Sequence, residues 1–387
     1  MTLAPDSKLP DVGTTIFTVM SRLAAEVGAI NLSQGFPSFR PPGALVERIC
    51  WHLRHGDNQY APMPGVPALL DALAAKTERR YGRRVDPATE ITVSSGATEA
   101  LFSAIQAIVR PGDEVIVFDP AYDLYAPAVT LAGGLVRHVP LYLDARTGEF
   151  AMDWQRLTDT LSARTRLVIC NFPHNPTGAI LRPADLDEFA LRLRRSRAYL
   201  LADEVYEHLV FDGERHVSLL GHDELWERAF VVSSFGKTFH ATGWKIGYCI
   251  APPALTAEFR RVHQFTVFAV MTPVQHALAD FLAAETAFED ELPAFYQAKR
   301  DRFAGLLAGT RFAFAPARST FFQVVDYGAI TDEPDVDVAL RWTREAGVAS
   351  IPLSVLCAKP YTGTRLRLCF AKDDATLAAA AERLAAL

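Results

Sequence analysis

The 387-residue sequence has no apolar run long enough to span a membrane, although 50% of its residues are hydrophobic. A spanning helix needs about 20 consecutive apolar residues. Residues 1–13 include proline, aspartate and lysine and lack the apolar block of a signal peptide. The five cysteines are scattered and form no C-x-x-C pair. These absences predict reduced thiols in a cytoplasmic protein that does not cross a membrane.

Basic residues also do not outnumber acidic residues. The chain has 45 acidic and 39 basic residues and a formal net charge of −6. Binding of nucleic acid requires a basic face, and an anionic membrane surface would repel an acidic chain. We therefore expect neither nucleic acid nor a membrane as a partner.

Several signatures of other catalytic sites are absent. The chain contains no G-x-S-x-G nucleophile elbow and no G-x-G-x-x-G dinucleotide loop. The segment 236–238 resembles the end of a phosphate-binding P-loop, but that loop requires a glycine where Val231 stands. His52 and His55 are the one close histidine pair, and no further ligand stands at a useful spacing. We therefore expect no metal site.

Short apolar runs alternate with helical patterns between about residues 90 and 250. Such alternation predicts an α/β fold with a mostly parallel sheet between helices. Runs such as VIVF and YLLA are continuously apolar, which is typical of strands buried on both faces. Strands are predicted at 91–94, 114–118, 135–140, 166–170, 199–202, 230–233 and 246–251.

The last hundred residues follow a different pattern, which indicates a smaller α+β domain. It contains a helical stretch at about 275–310, a helix near 336–346, and strands at 320–325 and 365–370. We expect the N-terminal segment to join this domain. The predicted division is a large domain at 41–280 and a small domain formed by 1–40 and 281–387.

Polar side chains follow three of the predicted strands, and ligands of parallel sheets bind beyond such strand ends. Asn175 follows one strand, Asp203 and Tyr206 follow the next, and Lys237 follows another. An amide, a carboxylate, a phenol and an amine should therefore meet at one edge of the sheet. Each residue also has an ordinary interpretation, such as a loop amide, a core ion pair, half-buried packing or a solvated lysine.

Three further features are compatible with a ligand. Segment 94–99 follows a strand and opens a helix, where free N–H groups and the helix dipole favour an anion. Tyr122 follows a strand end and could stack on a ring or simply pack. Arg365 and Arg367 alternate with leucines on a strand, so they share one face. They could be a solvated edge or a clamp for a carboxylate, which the planar guanidinium suits.

Taken together and in order, these segments resemble the class I aminotransferases of pyridoxal-phosphate fold type I. The resemblance covers nearly the whole chain, and among subfamilies it is greatest to methionine aminotransferases and kynurenine/glutamine transaminases. The matching segments are NLSQGFPSF (31–39), NQYAPMPG (58–65), SSGATEAL (94–101), NFPHNPTG (171–178), LADEVYEHLVF (201–211), SSFGKTFHATGWKIGY (233–248) and RLRLCFAKDDATLAAAAERL (365–384).

The resemblance implies pyridoxal 5′-phosphate as the cofactor. Lys237 matches the catalytic lysine that forms the Schiff base and moves the proton, and Asp203 matches the partner of the ring nitrogen. Tyr60 matches a residue that reaches the phosphate of the neighbouring subunit, which implies a homodimer with shared active sites. The other positions that match cofactor-binding residues are Asn175, Tyr206, Ala97, Thr98, Tyr122, Ser234 and Lys245.

The resemblance also implies a substrate site. Arg367 matches the clamp for the α-carboxylate, and Gly35 and Asn175 match nearby contacts. The side-chain pocket, by family position, is apolar, so we expect methionine or an aromatic amino acid rather than aspartate. A cysteine-S-conjugate β-lyase and a kynurenine/glutamine transaminase remain the alternatives. The apolar pocket positions are Ile16, Phe36, Phe265 and Phe268.

Overall fold

The computed structural model describes residues 6–358 and 360–387. Its strands are β1 Ile30–Asn31, β2 Ile91–Ser94, β3 Glu114–Asp119, β4 Leu135–Pro140, β5 Tyr142–Leu143, β6 Phe150–Ala151, β7 Thr165–Asn171, β8 Tyr199–Asp203, β9 Ala229–Ser234, β10 Gly247–Ile250, β11 Phe322–Asp326, β12 Val348–Ala349, β13 Ile351–Pro352 and β14 Arg365–Cys369. Its helices are α1 Ile16–Val27, α2 Gly43–His55, α3 Pro67–Tyr81, α4 Pro87–Glu90, α5 Gly96–Ile108, α6 Tyr125–Leu131, α7 Trp154–Thr160, α8 Pro183–Leu193, α9 Asp223–Trp226, α10 Phe235–Thr238, α11 Pro253–Thr266, α12 Thr272–Ala284, α13 Phe288–Leu307, α14 Asp335–Glu345 and α15 Asp374–Ala385.

The central sheet has seven strands in the order β2-β10-β9-β8-β7-β3-β4. Strand β10 runs antiparallel to both of its neighbours, and the remaining pairs are parallel. Each strand end lies within one residue of its predicted position. The predicted α/β class with a mostly parallel sheet is therefore confirmed.

Both faces of this sheet are buried, as the continuous apolar runs predict. Along β8, Leu200 and Ala202 belong to one apolar cluster, whereas Leu201 between them belongs to a cluster on the other face. Successive side chains of a strand point to opposite faces, so the run Leu200–Ala202 has to be apolar throughout. None of the helices in the described part of the chain is long and apolar enough to span a membrane.

A third apolar cluster combines residues from both ends of the chain. It includes Met20 and Leu32 from the N-terminal segment together with Phe303, Trp342 and Leu368. A three-stranded sheet in the order β11-β14-β13, antiparallel throughout, lies within it. Strand β14 therefore belongs to a different core from the strands of the large sheet.

The predicted helical stretch at 275–310 was wrong as one element, because the structure has two helices there. Helix α12 ends before Glu285, which has a non-helical backbone, and α13 begins at Phe288. Three acidic residues occupy the first turn of α13. Negative side chains stabilise the N-terminus of a helix, so they favour a new helix start at this point.

Candidate active site

A cavity of about 160 Å³ lies at the carboxyl ends of β7, β8 and β9, where the N-terminus of α5 also points. Every residue predicted to bind the cofactor lines it, with the exception of Tyr60. The lining residues are Gly96, Ala97, Thr98, Leu101, Tyr122, Asn171, Asn175, Asp203, Val205, Tyr206, Ser234, Gly236, Lys237, Thr242, Lys245 and Ile246.

The amine of Lys237 follows strand β9 and lies inside this cavity. Its Nζ donates to the carbonyl of Gly35 at 2.8 Å. Burial lowers the pKa of this amine to about 8, and the positive charges of Arg367 and Lys245 act in the same direction. Asp203 raises the pKa but does not offset the burial. A useful fraction of the amine is therefore unprotonated near neutral pH, as a nucleophile or base requires.

Asp203 ends strand β8 at the floor of the cavity. Burial raises the pKa of its carboxyl to about 6, although a hydrogen bond donated by Tyr125 at 2.6 Å lowers it. The side-chain amide of Asn171 donates to the backbone carbonyl of Asp203 at 2.9 Å. The sequence analysis assigned no role to Tyr125 or Asn171. Tyr125 lies three residues after Tyr122, but its contact with Asp203 leaves no local signal.

A site for an anion lies at the start of α5. Gly96 has φ +72°, a left-handed conformation that side chains other than glycine rarely adopt. A Cβ atom at this position would lie 3.2 Å from Nζ of Lys245, which approaches the hydroxyl of Thr98 at 3.4 Å. The hydroxyl of Ser234, which also lines the cavity, accepts from the backbone N–H of Gly236 at 3.2 Å. A lysine beside free helix N–H groups suits a phosphate.

Arg367 on strand β14 is a buried cation with neutral partners, and 1% of its surface is exposed. Its Nη1 donates to Oδ1 of Asn175 at 2.9 Å, and Nη2 donates to the carbonyl of Ser33 at 2.7 Å. Burial lowers its pKa to about 10. Its Nε has no partner, and within the described residues it makes no ion pair. By contrast, Arg365 pairs with Asp326 at 3.3 Å.

Several predicted residues lie outside the cavity of the single chain. Tyr60 is 84% exposed, and its ring meets the ring of Phe268 edge-on at 5.4 Å. Phe265 is 90% exposed. Phe36 follows Gly35 at the edge of the site, and Ile16 begins helix α1 and packs against the third apolar cluster.

The family model for aminotransferase class I and II matches residues 27–384. The chain belongs to this aminotransferase family. It is 52% identical over 382 residues to a methionine aminotransferase of Escherichia coli (strain K12), covering 99% of this chain and 98% of the relative. A crystal structure from Escherichia coli, described as having a methionine aminotransferase function, superimposes with a TM-score of 0.95 at 51% identity over 100% of both chains. Kynurenine–oxoglutarate transaminase 3 of Mus musculus is 33% identical, over 97% of this chain and 88% of its own.

The predicted resemblance is thereby confirmed: the chain is an aminotransferase, and its cofactor is pyridoxal phosphate. The donor set of the cavity fits this cofactor. It offers a buried amine of lowered pKa to an aldehyde, a buried carboxylate to a ring nitrogen, and a helix N-terminus with a lysine to a phosphate.

Proposed function

We propose that this aminotransferase moves the α-amino group of methionine, or of another apolar or aromatic L-amino acid, to a 2-oxo acid. The observation that carries the proposal is the guanidinium of Arg367. It is buried beside the cavity with an unpartnered Nε and no carboxylate partner among the described residues. A buried unpaired cation is costly, and an α-carboxylate would relieve the cost through charge-assisted hydrogen bonds. Methionine is the amino acid named for the Escherichia coli relative.

In this proposal Lys237 is the catalytic residue. Its Nζ would hold the cofactor covalently. When free, the same amine would accept the proton from Cα of the substrate, a role for which a pKa of about 8 suits it. Pyridoxal phosphate, when bound, supplies the electron sink for the pair of electrons that the departing proton leaves behind.

The other cavity residues orient and tune this chemistry. Asp203, ionised above a pKa of about 6, would keep a proton on the ring nitrogen. Tyr206 and Asn175 would donate to the phenolate oxygen. Because Oδ1 of Asn175 accepts from Arg367, its Nδ2 is the group left to donate. Ala97 and Thr98 would bind the phosphate through the start of α5, together with the side chains of Ser234 and Lys245, and Tyr122 would stack on the ring.

The pocket for the substrate side chain is proposed to be apolar. The ring of Phe17 lies 5.2 Å from the guanidinium of Arg367, so an aromatic surface already borders the carboxylate site. Phe36 and Phe268 would extend this surface. An aspartate side chain would bring an unpaired charge into such a pocket, which is unfavourable.

We also propose a homodimer. Exposed apolar side chains collect near Tyr60, and a large exposed apolar patch typically marks an interface. A second copy would cover them and receive Tyr60 at its own phosphate site. The exposed members are Leu53, Tyr60, Phe268 and Met271.

Two further proposals concern organisation and location. The division into 41–280 and 1–40 with 281–387 is supported by the apolar cluster that both chain ends share. A cytoplasmic location is supported by the cysteines, none of which forms a disulfide.

The direct test measures kcat/KM of the cofactor-loaded enzyme with methionine, phenylalanine, kynurenine and aspartate. We expect methionine to exceed aspartate by roughly 100-fold or more. Comparable turnover of the two would contradict the apolar pocket. A preference for kynurenine would favour that transaminase activity instead. Pyruvate and ammonia released from a cysteine S-conjugate without an added 2-oxo acid would favour the β-lyase.

A further inference from the structure

Residues 33–38, here called the strap, pass beside the amine of Lys237. The strap carbonyl at Gly35 accepts from this amine at 2.8 Å. The next residue, Phe36, is 45% exposed, although its backbone adjoins the contact with the catalytic amine. Nζ of Lys372 donates to the carbonyl of Phe36 at 3.0 Å and lies 4.9 Å from the centre of its ring. One lysine therefore holds both the backbone and the ring of Phe36.

Lys372 is a buried cation without a counterion. Only 7% of its surface is exposed, and across residues 6–358 and 360–387 it makes no ion pair with a carboxylate. A buried charge is costly unless it is paired. Methionine, of similar length, would occupy the same space without that cost, so packing alone does not account for a lysine here. The contacts that use its charge and its N–H are those with Phe36.

A second lysine beside the neighbouring segment shows the ordinary arrangement. Nζ of Lys299 lies 5.3 Å from the ring centre of Phe39, so it also makes a cation–aromatic contact. Unlike Lys372, it pairs with a carboxylate, that of Asp374, at 2.6 Å. The two lysines thus differ in their main partner, which is a carboxylate for Lys299 and a phenylalanine residue for Lys372.

The strap has independent connections on either side of Phe36. The N–H of Ser38 donates to the carbonyl of Ala371 at 3.0 Å, and the N–H of Asp373 donates to the hydroxyl of Ser38 at 3.2 Å. On the other side the carbonyl of Ser33 accepts from Arg367. Loss of the Lys372 amine would leave these connections in place, so the expected change is local to Phe36.

We propose that Lys372 is a positioning residue for substrate specificity. It fixes the ring of Phe36 at the edge of the cavity, where the ring contacts the side chain of the amino acid whose carboxylate Arg367 binds. An aromatic ring makes favourable contacts with apolar groups and with a thioether sulfur. The inference rests on the proposed function and assigns part of the selection for a long apolar or sulfur-containing side chain to Lys372.

The test compares methionine with alanine, whose methyl group is too short to reach Phe36. In the holoenzyme, Lys372→Met should lower kcat/KM for methionine roughly three- to tenfold, mainly through KM. The value for alanine should change less than about twofold. Lys372→Arg keeps the charge and the donors and should preserve most of the preference. Lys299→Met is the matched control and should leave the ratio between the two substrates unchanged.

Phe36→Ala completes a double-mutant cycle. If Lys372 acts through Phe36, adding Lys372→Met to Phe36→Ala causes no further loss with methionine, because coupled residues are non-additive. Equal losses for methionine and alanine, or fully additive losses, would overturn the proposal. Hydrogen exchange of the holoenzyme supplies a readout that does not depend on activity. Peptides covering the strap, residues 33–38, should exchange faster in Lys372→Met and not in Lys299→Met, because Lys299 contacts Phe39 outside the strap.

The two proposals fail in different ways. If the wild-type enzyme transfers no amino group from methionine, the proposed substrate is wrong, and hydrogen exchange still decides whether Lys372 holds Phe36. Unchanged exchange in Lys372→Met would overturn that contact. If the wild-type enzyme uses methionine but Lys372→Met keeps the full preference over alanine, only the inference about Lys372 fails.

Discussion

Two regions of the molecule that bury charged side chains differ in whether those charges are paired. The first region is here called the ionic network. In it, Nζ of Lys76 contacts carboxylate oxygens of Glu207 at 3.0 Å and Glu289 at 3.2 Å. Arg80 also pairs with Glu289, at 3.1 Å. The two buried carboxylates therefore both have a cation within the chain, and Arg80 also contacts the exposed Asp290 at 2.8 Å. Burial lowers the pKa of Lys76, but Glu207 and Glu289 raise it above its usual value.

The active-site cations Lys237 and Arg367 have a different environment. Their hydrogen-bond partners are carbonyl and amide oxygens, and burial lowers the pKa of both. Both regions are buried, so burial does not distinguish them. The difference lies in the counterions. The buried carboxylates of the ionic network have cations within the chain, whereas Lys237 and Arg367 make no ion pair among the described residues, and we propose that the cofactor and the substrate supply the opposite charges.

The largest expected effect comes from removing the active-site amine. Lys237→Ala should lower amino transfer from methionine roughly 10⁴-fold or more, because in the proposed mechanism the amine both attaches the cofactor and moves the proton. The free energy of unfolding of the apoprotein should not fall, because the substitution removes a buried cation that has no ion pair. The assays are steady-state transfer and urea unfolding of the apoprotein. Retained transfer, or a marked loss of stability, would mean that Lys237 is mainly structural.

Much of this active site was predictable because its residues follow strand ends that local patterns reveal. The apolar runs of β7, β8 and β9 are continuous in the sequence, and parallel strands bring their carboxyl ends to one edge. Asn175, Asp203 and Lys237 follow these three strands, and the structure places them around one cavity.

The contacts between distant segments could not be predicted in the same way. The bond from Tyr125 to Asp203 joins residues 78 positions apart, and the bond from Arg367 to Ser33 spans 334 positions. Such contacts depend on how one core packs against another, which leaves no periodic signal. The environment of Lys372 was not foreseen for the same reason.

A smaller effect is expected from the ionic network, and it concerns the stability of the protein rather than its activity. Lys76→Met leaves Glu207 and Glu289 buried with one cation between them, and should cost about 3–5 kcal/mol of the free energy of unfolding. Urea unfolding of the apoprotein measures this cost. The kcat of the folded enzyme at low temperature should stay near the wild-type value, because Lys76 lies outside the cavity.

The double variant Lys76→Met/Glu289→Gln serves as the matched control for that experiment. It removes one charge of each sign, so the repulsion between Glu207 and Glu289 that remains in the single variant is also removed. We expect it to recover part of the lost stability. A single variant as stable as the wild type would show that the ionic network contributes little, and the contrast with the active site would then fail.

The smallest effect is a shift along the pH axis, and it tests the contrast without a mutation. In the proposed role of Lys237, the unprotonated amine is the form that attaches the cofactor, and burial lowers its pKa to about 8. The rate at which the apoenzyme takes up pyridoxal phosphate covalently should therefore rise with pH to a plateau, with a midpoint near 8. A blocked lysine in solution, reacting with the same aldehyde, should have its midpoint near the ordinary lysine pKa of about 10.4. The absorbance of the cofactor attached to each amine, followed by stopped flow, gives both curves. If the enzyme's midpoint coincided with that of the free amine, the neighbouring carboxylate of Asp203 would outweigh burial, and Lys237 would belong with the paired lysine of the ionic network.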